Sequence, residues 1–94
     1  MKTVTLQVGN SDDKLAQMEW AAFVARIRDV FDETPYVDVH FFGCSNPTEC
    51  WQNACWVFVA DPGVIEQIKS ELIAIRAKYR QDSVAWTEGE TAFI

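Results

Sequence analysis

The chain has 94 residues, 49% of them hydrophobic and 13% aromatic, a composition that excludes a disordered segment and fits one domain spanning 1–94. Its 14 carboxylates outnumber its 8 lysines and arginines for a net charge of −6, so the average field repels a phosphate backbone and no direct nucleic-acid partner is expected. No apolar run approaches the roughly 18–20 residues of a membrane span, and "MKTVTLQVGN" alternates where a signal peptide would be continuously apolar; the expected address is the cytoplasm, with no membrane partner.

The first segment places Val4, Leu6 and Val8 on one side and Thr3, Thr5 and Gln7 on the other, a strand with one buried face. "GNSDD" breaks it, with Ser11 as a candidate cap and Asp12 and Asp13 suited to a helix start. From Lys14 to about Phe31 the period becomes helical: Ala16, Trp20, Phe23, Val24, Ile27, Val30 and Phe31 form one apolar stripe. Pro35 in "DETP" ends that helix, because the residue before a proline avoids the helical region.

"YVDVHFFGC" reads as a second strand, with Val37, Val39 and Phe41 facing one way and Tyr36, Asp38, His40 and Phe42 the other. "SNPTE" carries a helix-start signature in Asn46, Pro47 and Glu49, and a single turn bearing Cys50 and Trp51 is expected. "ACWVFVA" is the third strand, with Cys55, Val57 and Val59 on one face and Ala54, Trp56 and Phe58 on the other. Asp61 and Pro62 open the second long helix, whose stripe is Val64, Ile65, Ile68, Leu72, Ile75 and Tyr79. Arg76, Lys78 and Arg80 suit its negative C-terminal end. "SVAWT" is a fourth strand, and "EG" is expected to turn the chain into an extra short strand, "ETAFI".

The order β-α-β-β-α-β resembles the ferredoxin-like plait, an α+β fold with a four-stranded antiparallel sheet and both helices on one face. Two helices with one apolar stripe each need one shared sheet face to cover. The resemblance is topological and carries no motif of a functional family, so it implies a fold and no activity.

Such a plait leaves the other sheet face open. Choosing the aliphatic sets of the middle strands for the core sends Tyr36, Asp38, His40 and Phe42, with Trp56 and Phe58, to that open face. Exposed rings in such number mark an interface. These six residues are therefore the candidate partner-binding set. The alternative is cover from within, by the 44–53 loop or a terminal hairpin. Stacking of RNA bases on these rings is disfavoured, because no strand lysine or arginine accompanies them.

The cysteines suggest chemistry and do not support it. His40, Cys44, Cys50 and Cys55 fall at H-x3-C, C-x5-C and C-x4-C, with no C-x2-C knuckle, so no metal or other cofactor is expected. A disulfide from Cys44 to Cys50 or Cys55 would not persist in a reducing cytoplasm. Cys50 with His40 as base lacks an assigned orienting group. Free thiols that pack as small hydrophobes are the expected state, with Cys55 in the core.

Two functions from different classes fit. One is a small, acidic, non-catalytic interaction module that meets a basic protein surface, or pairs with itself through the open face. A phage or mobile-element inhibitor of nucleic-acid-handling machinery is its narrower form. The other is a dimeric α/β-barrel binding protein or enzyme, with His40 as acid or base and Tyr36, Asp38 and Trp56 lining its pocket.

Overall fold

The computed structural model describes residues 2–46 and 52–94. Its elements are β1 (Lys2–Gly9), a 3-10 turn (Ser11–Asp13), α1 (Gln17–Glu33), β2 (Asp38–Cys44), β3 (Asn53–Val59), α2 (Pro62–Lys78) and β4 (Ala85–Glu90). The strands form one sheet in the order β2-β3-β1-β4, and every neighbouring pair is antiparallel. Each helix carries the chain past one intervening strand, α1 from β1 to β2 and α2 from β3 to β4. Crossovers of one hand put both helices on the same sheet face. The α+β fold and the ferredoxin-like order are those expected. Among the described residues no helix is long and apolar enough to cross a membrane.

The core lies between the helices and that face. Val4, Leu6 and Val8 of β1 and Ala54, Trp56 and Phe58 of β3 meet Trp20, Phe23, Ile27, Val30 and Phe31 of α1 and Ile65, Ile68, Leu72 and Ile75 of α2. Rings run across this layer in contact. Phe42 lies 4.8 Å from Trp56, Phe31 touches both Trp56 (5.8 Å) and Phe58 (4.9 Å), and Phe58 meets Trp86 at 5.8 Å. A cation closes each end, the Arg28 guanidinium 4.8 Å over Phe42 and the Lys69 ammonium 5.7 Å over Trp86.

This corrects the expected facing of β3. Trp56 and Phe58 are 2% and 0% exposed, on the helix side. Cys55, Val57 and Val59 are half-buried on the open side. A ring removes more apolar surface from water than a valine does, so the register that hides the rings wins.

In β2 the error has a second cause. Val39 pairs with Phe58 and Phe41 with Val57, which leaves His40 as an extra residue in a bulge. The bulge reverses the alternation: Phe42 turns to the helix side opposite Trp56, and Phe41 turns to the open side. Phe42, expected on the open face, therefore packs against the core.

Two boundaries also differ. α1 starts at Gln17 instead of Lys14 and is not capped by Ser11; the Glu19 side chain instead accepts from the Ala16 N–H at 3.1 Å. The segment before it is held by Asn10, which accepts from the Leu15 N–H (3.0 Å) and donates to the Leu15 carbonyl (2.8 Å). At the other terminus β4 runs through "EG" to Glu90, and residues 91–94 form no further strand. Gly89 keeps its place in the ladder opposite Thr3, so no turn forms there. The expected helical turn carrying Cys50 and Trp51 lies outside the described residues.

Candidate functional site

Where β3 runs out into α2, the end of the sheet opens into a cleft of about 860 Å³. Its floor is Val59, Ala60, Pro62 and Ile65, and its walls carry Asp38, Asp61, Glu66, Glu88 and Glu90, so that among the described residues five carboxylates face one ammonium, that of Lys2. Tyr36 lines it as well and is 86% exposed.

Each wall residue is there for a local reason. Asp61 holds the position before α2 in an extended conformation and makes no side-chain cap bond, Pro62 having taken the first helical position. Its carboxylate is thereby left to line the cleft, beside the positive end of the helix dipole. Glu66 sits one turn further along α2. Glu88 and Glu90 are two apart on β4 and share a face; Glu90 stands directly across from Lys2 in the register with β1. Tyr36 follows Pro35 with φ at +64°, a left-handed conformation that bulky residues rarely adopt.

The six residues expected to bind a partner are thus divided. Tyr36 and Asp38 line the cleft. His40 stands in the bulge, exposed, with its Nε2 3.3 Å from Asp38 Oδ2. It does not line the cleft. Phe42 lies half-buried under Arg28, and Trp56 and Phe58 are interior. The pocket expected from Tyr36, Asp38, His40 and Trp56 is not assembled, because Trp56 faces the helices.

Sequence reasoning singles out none of Glu66, Glu88 and Glu90, and reads Asp61 only as the cap of α2, a bond its side chain does not make. They come from separate elements and only the fold gathers them. The alternation in "TEGE" was the one local signal, since it puts two carboxylates on one side of a strand.

Cys44 is exposed and Cys55 half-buried, both as free thiols. They occupy adjacent positions in the β2–β3 ladder, Cys44 across from Ala54 and Cys55 across from Gly43, on opposite faces of the sheet. This corrects the placing of Cys55 in the core. Among the described residues no three His, Cys, Asp or Glu side chains gather as metal ligands; Cys50 lies outside them.

No protein-family model matches the chain, and no curated protein does. Solved structures do match. The de novo designed protein Foldit4 aligns with a TM-score of 0.65 and 13% identity, over 97% of this chain and 96% of that one. SnoaB, a cofactor-independent oxygenase from Streptomyces nogalater, aligns at 0.60 and 10% identity, over 99% and 93%. Formyltetrahydrofolate deformylase from Burkholderia mallei ATCC 23344 aligns at 0.56 and 17% identity, over 95% of this chain and only 27% of that one. The likeness is one of fold. A designed protein and two enzymes of unrelated chemistry share the plait, so the plait names no activity for this chain.

Proposed function

We propose that the chain is a small, acidic, non-catalytic interaction module of the cytoplasm that binds a basic protein surface through the cleft at the end of its sheet. The observation that supports this is the lining itself, five carboxylates and one ammonium around about 860 Å³. Walls of one sign focus the field and draw an oppositely charged partner in. Exposed Tyr36 adds an aromatic anchor of the kind that dominates binding hot spots. A lysine- or arginine-bearing segment fits this chemistry; a phosphate backbone does not.

In its narrower form the module is an inhibitor carried by a phage or other mobile element, which occupies the basic groove of a nucleic-acid-handling protein. Small size and surplus negative charge support that form, since both suit occupation of a groove shaped for phosphates.

The test is capture from a cytoplasmic extract on immobilised protein, at low and high salt, beside a variant carrying Asp38→Asn, Asp61→Asn, Glu66→Gln and Glu88→Gln. The wild type is expected to retain a basic protein at low salt, release it at high salt, and lose it in the variant. Equal capture by both proteins, or capture indifferent to salt, would remove the cleft from consideration.

A further inference from the structure

The side of the sheet turned away from the helices has a different character from the cleft. Two rows cross all four strands on that side. One is Phe41, Val57, Thr5 and Thr87; the next is Gly43, Cys55, Gln7 and Ala85. No side chain in either row carries a charge, although the chain bears 22 formal charges in all, 14 negative and 8 positive. Phe41 is 54% exposed there.

We propose that this face is the pairing surface of a second copy of the same chain. A basic partner gains nothing from these two neutral rows and is served by the cleft, to which Asp38, across from Val59 at the end of the same face, belongs. Two copies at −6 repel one another, and the neutral rows are a surface on which they can meet with their carboxylates kept apart.

Shape points the same way. The bulk stands at one edge, in Phe41 of β2. The opposite edge, β4, offers only Ala85, Thr87 and Gly89 on this side. A two-fold axis running along the strands lays each β2 over the other copy's β4, so each Phe41 covers small residues and the contact is self-complementary.

Size sets the strength. Four strands about 4.8 Å apart and about seven residues long give a plane of roughly 440 Å². Side-chain relief and the rims raise the accessible area towards the small end of specific interfaces, about 600 Å² per partner. An area at the small end of specific interfaces fits a weak, reversible pairing.

Sedimentation equilibrium from micromolar to millimolar protein tests this, with circular dichroism to verify folding. The wild-type mass is expected to rise from 10.7 kDa towards twice that value. Added salt should strengthen the pairing, because it screens repulsion between the copies. That sign is opposite to the one expected at the cleft, so failure here and failure there are distinguishable. Thr5→Glu, which puts a charge in the central row, should hold the protein at 10.7 kDa. Phe41→Ala, at a site 54% exposed, should weaken pairing at least tenfold. A wild type that stays at 10.7 kDa at millimolar concentration overturns the proposal. So does pairing of folded Thr5→Glu or Phe41→Ala as tight as that of the wild type.

Discussion

Phe31 of α1 stacks on Trp56 of β3, with ring centroids 5.8 Å apart and planes inclined by 19°. This contact fixes which side of β3 is the inside, because Trp56 is 2% exposed and Phe58, against the same Phe31 ring, is wholly buried. Trp56→Ala or Phe58→Ala should therefore lower stability by about 3–5 kcal/mol, the usual range for removing a buried ring. Val57→Ala, one residue away on the half-buried side, should lower it by about 1 kcal/mol or less. Urea unfolding followed by circular dichroism measures all three. Equal midpoints for Trp56→Ala and Val57→Ala would mean that the strand faces the other way.

Gln81 is buried, and its side chain ties two distant segments. Its Oε1 accepts from the Ser11 N–H at 2.7 Å and its Nε2 donates to the Tyr79 carbonyl at 3.1 Å. Gln81→Leu keeps the approximate volume and leaves the Ser11 N–H without that acceptor. The expected loss is about 1–3 kcal/mol, the desolvation penalty of an unpaired donor. Hydrogen exchange separates this from a packing defect: the Ser11 amide should exchange faster than in the wild type by a larger factor than amides in the middle of β1.

Much of this architecture was legible in the chain, and the misreadings have nameable causes. The stripes of both helices and the inward Val4, Leu6 and Val8 follow from spacing alone, since each position has only one apolar side. β3 offers no such contrast: Ala54, Trp56 and Phe58 are as apolar as Cys55, Val57 and Val59. Only the space between helices and sheet decides between them, and that space is a tertiary property. The bulge at His40 is invisible to period-two counting, and beyond it Phe41 and Phe42 exchange faces. The cleft was the least legible feature. Asp38, Asp61, Glu66, Glu88 and Glu90 look like scattered surface carboxylates until the crossovers bring the ends of four strands and one helix together.

Asp61 separates helix capping from cleft lining. Its carbonyl accepts from the Ile65 N–H at 2.9 Å, yet its side chain makes no cap bond to α2. Asp61→Asn should therefore change stability by less than about 1 kcal/mol, through the helix dipole alone. It should also weaken capture of a basic partner if the cleft binds as proposed. Thermal melts and the capture assay read the two effects separately. Asp61→Ala, which removes the acceptor that Asn would keep, completes the test: a loss of about 1–2 kcal/mol beyond that of Asp61→Asn would show that the side chain caps the helix after all.

Gly43 and Phe41 offer a last test, which reaches the open face without adding charge. A Cβ at Gly43 would stand 2.6 Å from the tip of the Phe41 ring and 3.0 Å from one of its edge carbons. The obstacle is the far end of a movable side chain, so Gly43→Ala should displace the ring while the backbone stays in register. Glycine in a strand already weakens it by about 0.5–1 kcal/mol relative to alanine. That gain offsets the lost ring contact, and the net change should stay within about 1 kcal/mol of zero. The nuclear Overhauser contacts between the Phe41 ring and the Gly43 α-protons should have no counterpart in the Gly43→Ala variant, while those across the β2–β3 ladder remain. With the ring pushed aside, self-association should weaken even though folding does not. A ladder that breaks up in Gly43→Ala would show instead that the close approach of ring and backbone holds β2 in the sheet.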